Sequence, residues 1–557
     1  MLTRTKSSLL VLLFALPVVT HALDRLELLP SDAQMYLRVS NSTNFWSELK
    51  QSPIGKLWDD PQFQDFIGNP EAKTWSGFFI KGKSEIENAV TLEQYKMLKG
   101  EVIMAFNEEM EEVALVCAME ETDFLKRLKL DDKLNDVLNE SIDIVKSDFQ
   151  GVEIIQHIPS GNENESSFRA FVDGTFLMGQ SREWIERCIV RLQKEKVDEP
   201  IGNPFFNFNL PLEKLVEDWI DEMDGHGAAS STRSLVNALG LTGLKNFSMS
   251  IELKKGEMAI KNNLKVSNLT KGIFSLLDLQ PSGIPDVSFV SESIASFGVG
   301  RVNLLALWKE VPEILASISP SAKLQLDMVI GMFMQQTGVD LEQDLLGKLD
   351  TQYLFYSQAE EGQLPINVIA LELKDSQAFK TALESMLASP TLQMQLANML
   401  EIEEFLDHTL YTVKTANPSD SVAFGVADNY LFYGQPEGLR QAIHSLVGER
   451  GGKDSFNRLP LVEGLRAHMP AHAFGFSAVN LKKYITIFIR KFRNSEFSDG
   501  FAQSWATSGV PLPPPNLEKL PSAEHIASFF NVSYQYVEAS NDGLCQQIFL
   551  KYWKITE

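Results

Sequence analysis

Asp218, Asp221, Glu222, Asp224 and His226 form the best metal candidate in the chain, with Gly225 inside the cluster. Calcium is held by such carboxylates, but their spacing fits no EF-hand loop. A solvated helix end running into the loop 225–232 is the favoured reading, because charge runs usually face water. His468 and His472 stand four apart, yet Pro470 lies between them and no Glu follows the first His, as a zinc-binding helix would need. Ser47 and Lys50 have the Ser-x-x-Lys spacing without the companion motifs of penicillin-recognising enzymes. Gly298-Val299-Gly300 lies between a predicted strand and a predicted helix, where a dinucleotide fingerprint would sit, but Asn303 holds the third glycine position. Pyrophosphate recognition needs that glycine-rich backbone, so strand packing is the expectation here. No Gly-x-Ser-x-Gly elbow occurs. These residues give no intact catalytic constellation, predict no cofactor, and leave Asp218, Asp221 and Asp224 as the metal candidates.

One segment runs against the charge of the whole. Lys482, Lys483, Arg490, Lys491 and Arg493 flank the apolar centre Tyr484 to Ile489. Such a pattern can contact an anionic membrane or a partner, although core packing with snorkelling cations is the favoured reading. The matching stretch Leu212 to Ile220 is amphipathic and acidic. Beyond the basic segment, Pro511, Pro513, Pro514, Pro515 and Pro521 predict a stiff extended loop able to serve as a contact surface.

The elements that must carry these residues show an internal repeat. Asp173-Gly174-Thr175-Phe176-Leu177-Met178-Gly179-Gln180 returns as Asp428-Asn429-Tyr430-Leu431-Phe432-Tyr433-Gly434-Gln435. The same spacing sets Val113 to Val116 on Val368 to Leu371 and Phe124 on Phe379. Asp-Gly and Asp-Asn tolerate positive φ and close tight hairpins. After each hairpin a helix follows, with Ser181 as N-cap in one case and Pro436 in the first turn of the other. Upstream, Ala33 to Asn41 resembles Ala295 to Asn303, each followed by a tryptophan (Trp46, Trp308) that is expected to point back to the core. Thr122 and Ser376 are expected to cap matching helices, Cys188 falls on Ile443, and Cys117 falls on Glu372. Hairpins Phe247 to Val266 and Phe529 to Tyr552 close the two halves. The predicted fold is α+β: two tandem modules, 23–285 and 286–557, each a meandering, mostly antiparallel sheet with helices packed on one face.

Arg4 and Lys6 precede the apolar run Leu9 to Val19, and Thr20-His21-Ala22 supplies small residues for a peptidase. Residues 1–22 therefore read as a secretory signal, too short for a spanning helix. No later stretch is long and apolar enough to span a bilayer, so a periplasmic or extracellular address is expected. The 50 basic against 74 acidic residues give −24, and loss of Arg4 and Lys6 makes it −26. An acidic surface repels phosphate backbones, so no nucleic-acid partner is expected unless a local basic patch overrides that charge. Cys117, Cys188 and Cys545 allow at most one disulfide, so stability must come from packing.

The phrase Thr337-Gly338-Val339-Asp340-Leu341-Glu342-Gln343-Asp344-Leu345-Leu346-Gly347 and the opening Leu29-Pro30-Ser31-Asp32-Ala33-Gln34-Met35-Tyr36-Leu37-Arg38-Val39 resemble exported bacterial proteins grouped under a domain of unknown function. The resemblance implies an exported compartment and duplicated α+β modules, and it carries over no catalytic residue. At Thr91-Leu92-Glu93-Gln94 the first half lacks the Thr-Gly. The expected function is that of a non-enzymatic envelope protein presenting a binding or scaffold surface to an envelope protein or a peripheral membrane surface. The alternatives are a periplasmic carrier of an apolar ligand such as a lipid, with 35 Phe against 11 Tyr suiting either a dry core or such a cavity, and a hydrolase with a scattered site.

Overall fold

The computed structural model describes residues 23–551 except 32, 68–99, 108–111, 139–141, 160–165, 198–204, 224–228, 255, 286, 291–292, 359–364, 398, 416–420, 448–455, 494–516 and 541. The expected signal segment 1–22, Asp224, His226, the Thr91 to Gln94 helix and the prolines 511–515 lie outside the described residues. Two compact units form, Met1–Thr43 with Lys83–Gly202, and Asn44–Gly82 with Asn203–Glu557. These units do not divide at the expected 285/286 boundary, for a reason that lies in the strand pairing of the second.

In the first unit, β1 (Met35–Val39), β2 (Val102–Phe106), β3 (Glu112–Ala118), β4 (Ile142–Phe149), β5 (Val152–Pro159), β6 (Ser167–Val172) and β7 (Thr175–Gly179) form an antiparallel sheet. Its order is β1-β2-β3-β7-β6-β5-β4. Asp173 and Gly174 take the positive φ that the β6–β7 turn requires. Between β1 and β2 the chain forms α1 (Ser42–Gln51), α2 (Pro53–Trp58) and α3 (Pro61–Ile67), which from Asn44 on belong to the second unit. Then come α4 (Glu121–Leu138) and α5 (Arg182–Leu192). Ser181 caps α5, its hydroxyl accepting from Trp184 N at 3.2 Å, as the sequence predicts. The buried stripe Trp184, Ile185, Cys188 and Ile189 packs on Ala114, Val116, Ile154 and Leu177. The opposite sheet face carries Leu115, Cys117 and Phe176 beneath Phe124 of α4. Helical cover thus lies on both faces rather than one, because successive strand residues are apolar and point opposite ways.

The second unit contains β8 (Phe205–Leu210), α6 (Leu212–Met223), α7 (Ala229–Ala238), β9 (Leu244–Lys254), β10 (Glu257–Val266), β11 (Ile294–Arg301), α8 (Leu304–Ile318) and α9 (Pro320–Thr337). It continues with β12 (Leu349–Gln358), β13 (Ile366–Leu373), α10 (Ser376–Leu387), α11 (Pro390–Leu396), β14 (Leu400–Phe405), β15 (His408–Val413), β16 (Val422–Ala427), β17 (Tyr430–Gly434) and α12 (Pro436–Val447). Last come α13 (Pro460–His468), β18 (Gly475–Asn480), α14 (Leu481–Arg493), α15 (Ala523–Ala527), β19 (Val532–Ser540) and β20 (Gly543–Lys551). Its antiparallel sheet runs β8-β9-β10-β20-β19-β18-β11-β12-β13-β17-β16-β15-β14. The order β11-β12-β13-β17-β16-β15-β14 repeats that of the first unit strand for strand. Pairing of β10 with β20 explains the unit boundary: it welds the hairpin 244–266 to the C-terminal hairpin, so residues 203–285 group with the second half.

That pairing is self-complementary. Lys254 faces Glu257 across one hairpin and Ser540 faces Gly543 across the other, which makes Glu257 and Gly543 equivalent. Between the hairpins Glu257 pairs Lys551 and Lys265 pairs Gly543, a register left unchanged by exchanging the strands, with Lys261 opposite Gln547 at its centre. Such a local two-fold is the arrangement of an isologous contact, here within one chain. The helical insertions cross over correspondingly. Leu57 of α2 and Phe66 of α3 pack with Phe492, Leu520 and Ile526, while α8, from the β11–β12 connection, packs on α7.

Several residues depart from expectation. Ala114 pairs with Gly179 and Val368 with Gly434; the two glycines end matching hairpins, so Ala114, not Val113, corresponds to Val368. Cys117 accordingly matches Leu371 rather than Glu372. Trp46 is 37% exposed, and its neighbour Phe45 is the buried ring, 6.3 Å from Phe206. Asp375, not Ser376, caps α10, accepting from Ala378 N. Gly298 and Gly300 lie within β11, where a Cβ on Gly298 would come 2.3 Å from the Phe355 ring and one on Gly300 2.6 Å from the Tyr353 hydroxyl. These glycines make room for aromatic rings on β12. Gly298→Ala is expected to lower the unfolding free energy by about 1–3 kcal/mol. Urea melts with and without a dinucleotide check this, and an undiminished midpoint would contradict the packing role.

Candidate functional site

The most unusual surface in the second unit is one face of β8, β9, β10 and β20. Alternating side chains line up across these strands in three rows: Phe206, Ile251, Ile260 and Ile548; Phe208, Met249, Asn262 and Gln546; Leu210, Phe247, Leu264 and Leu544. Every one of the twelve is only half-buried. An apolar sheet face normally disappears under helices, as it does at the α12–α13 side of this unit, where Phe297, Tyr356, Phe432 and Val462 are buried. A contiguous apolar face left partly open marks a ligand or partner site.

The middle row is polar at its end, and a chain of side-chain hydrogen bonds starts there. Asn262 Nδ2 donates to Gln546 Oε1 at 3.0 Å, Gln546 Nε2 to Gln535 Oε1 at 3.3 Å, and Gln535 Nε2 to Ser477 Oγ at 2.7 Å. Ligand sites are commonly apolar with a few placed polar groups that fix orientation, and this face has that composition. The period-two alternation of Phe247, Met249 and Ile251 was readable in the sequence. Alignment of β10 on β20, which adds the fourth strand of the face, had no local signal.

The residues singled out from sequence are not brought together. Asp218 and Asp221 are exposed on α6, and Asp221 pairs with Arg233 at 3.1 Å. Among the described residues no group of three His, Cys, Asp or Glu side chains could hold a metal ion. His468 stacks on Tyr534 with ring centroids 4.6 Å apart, whereas His472 reaches Glu538. On α14, Lys483 donates to the Ser293 carbonyl, Arg490 pairs with Glu524 and Arg493 donates to the Leu520 carbonyl. Lys482 is exposed, and the Lys491 side chain lies outside the described residues. The inner face of α14, Ile485, Ile489 and Phe492, packs in a cluster with Leu520 and Ile526, in line with the snorkelling reading. All three cysteines are free and buried. Burial pushes the Cys117 and Cys188 thiols up to about 12, which suits inert core positions.

The fold and this surface define an antiparallel α+β protein with a partly open apolar sheet face. Among the described residues no helix is long and apolar enough to cross a membrane. No protein-family profile and no curated protein matches the chain. Among solved structures, crystal form I of TP0453 is similar at 10% identity and a TM-score of 0.22, over 44% of this chain and 80% of that one. Crystal form III of TP0453 gives 12% and 0.23, over 46% and 88%. A likeness of that size assigns no function.

Proposed function

We propose that this is a non-enzymatic protein of the cell envelope, exported through residues 1–22, that binds an apolar partner on the β8-β9-β10-β20 face. The observation that carries the reading is the set of three half-buried rows, ten of whose twelve side chains are apolar. The recurrence of one strand order supports tandem copies of a module, with the face built where their closing hairpins meet. Of the two kinds of partner, an acyl-chain ligand fits better than a flat scaffold contact, because the Asn262–Gln546 pair offers a single polar point in an apolar field.

Native mass spectrometry of the gently purified chain is expected to show a bound lipid that is released on denaturation. Ile260→Asp sets a carboxylate in the first row and should weaken uptake of a fluorescent fatty acid at least tenfold, about 1.4 kcal/mol. A chain that carries no lipid and takes up no fatty acid would remove the carrier reading. N-terminal sequencing of the protein from the periplasmic fraction tests export, with Leu23 expected as the first residue.

A further inference from the structure

Helices α6 and α14 follow β8 and β18, the two outer strands of the palindromic stretch β8-β9-β10-β20-β19-β18, and at a spacing of 269 residues their sequences match in an unusual way. Apolar positions are kept: Leu215 and Tyr484, Val216 and Ile485, Trp219 and Phe488, Ile220 and Ile489. Four charged positions are reversed, Glu213 and Lys482, Asp221 and Arg490, Glu222 and Lys491, Asp224 and Arg493, while Lys214 and Lys483 keep their sign. Residues 212–224 hold six carboxylates and one lysine, while 481–493 hold five cations and no carboxylate.

The kept positions include a pair that faces outward in each helix. Leu215 and Trp219 are 38% and 46% exposed, and Tyr484 and Phe488 are 45% and 53% exposed, although Ile220, the residue after Trp219, is buried. Internal packing therefore accounts for the inner stripes and leaves the outer aromatic ones unexplained. A tryptophan or aromatic pair at the centre of a charged rim is the composition of an interface anchor, and opposite charge on two such rims sets register and partner choice.

We propose that α6 of one molecule docks on α14 of a second copy of this chain, Trp219 and Leu215 meeting Phe488 and Tyr484, with the acidic rim against the basic one. The contact is heterologous: each molecule offers one face of each kind, so assembly continues head to tail into a ring or filament. Charge complementarity selects this occupant. A like pairing, α6 on α6 or α14 on α14, would set carboxylates against carboxylates or cations against cations. The surface ion pairs that now engage Glu213 with Lys245, Asp221 with Arg233 and Arg490 with Glu524 are of the exposed kind that contributes about 0–1 kcal/mol, so exchange for an intermolecular partner is inexpensive.

Sedimentation velocity on the full chain tests this. At about 100 μM, enough to populate a micromolar contact, species larger than a dimer are expected in low salt and their loss in about 1 M salt, where the screening length falls to about 3 Å. Trp219→Lys and Phe488→Glu change exposed side chains, and each variant alone should sediment as a monomer with an unaltered circular dichroism melt. Mixed in equal amounts they should form a one-to-one dimer and nothing larger, because the first retains an intact α14 face and the second an intact α6 face. A wild-type chain that stays monomeric, variants that still assemble, or a mixture that does not pair would each overturn the proposal. So would a monomeric chain that pellets with phosphatidylglycerol vesicles through Phe488, which would give α14 to a membrane. Should either variant melt early, Asp218→Lys and Lys482→Glu, both exposed, replace the pair with the same expected pattern.

Discussion

Glu101→Gln is expected to destabilise the first unit by about 3–5 kcal/mol, the cost of breaking a buried ion pair from one side. Glu101 is fully buried beside β2 and is held by two arginines: Arg25 Nη1 lies 3.0 Å from Oε2, and Arg38 Nε donates to Oε1 at 2.6 Å. Arg25 is itself 2% exposed, and its Nε also donates to Thr175 Oγ1 at 3.4 Å. The amide of Gln can accept one of these bonds but cannot offset the guanidinium charge, which has no solvent to turn to. Replacing the buried pair together, Arg25→Met with Glu101→Met, is expected to cost less than the single change, since the fully buried Arg25 charge leaves with its carboxylate and Arg38 keeps its ion pair with Asp24 at 3.2 Å. Hydrogen exchange of the β2 and β3 amides in urea reads the unit directly. A loss below about 1 kcal/mol for Glu101→Gln would mean that Arg25 relaxes to solvent and that the ion pair does not anchor the sheet.

This network also shows where reading the sequence stops. The match of strand 101–106 with 352–357 holds in the structure: Val102 faces Cys117 as Tyr353 faces Leu371, so Glu101 corresponds to Gln352. What no local pattern revealed is that Arg25 and Arg38 converge on the first of these two positions, while Gln352 donates to Glu372 in the second. Hairpins, caps and helix stripes were legible because each is set within a dozen residues: Asp173-Gly174 makes its turn and Ser181 its cap whatever the rest of the chain does. Strand-to-strand register was legible only to within one residue, as Val113 and Ala114 show, and one residue is enough to turn a side chain to the other face. The candidate site lay further out of reach. One of its four strands joins only where β10 meets β20, a contact between residues nearly three hundred apart. The acidic and basic helices illustrate the converse: their charges were plain in the sequence, but only the exposure of Trp219 and Phe488 separates a docking stripe from a core stripe.

Acid should weaken the first unit through a single histidine. His157 on β5 is 5% exposed, its Nε2 lacks a hydrogen-bond partner, and burial, with the Arg169 charge adding to it, brings its pKa down to about 4 from an ordinary 6.5. Above pH 6.5 the ring is neutral in both folded and unfolded chains and has no effect on the pH dependence. Between 6.5 and 4 the unfolded chain takes up a proton that the folded one refuses, so stability falls as pH falls. The loss is complete near the folded value and amounts to about 3 kcal/mol. His157→Phe removes the titrating group together with its unpaired nitrogen, so the variant should match or exceed wild type at pH 7 and stand about 3 kcal/mol above that baseline difference at pH 4. Taking the difference between the two proteins at each pH cancels the carboxylates that titrate in both. A difference that stays constant from pH 7 to pH 4 would show that the folded unit admits water or a proton to His157, and that β5 is not sealed as its burial indicates.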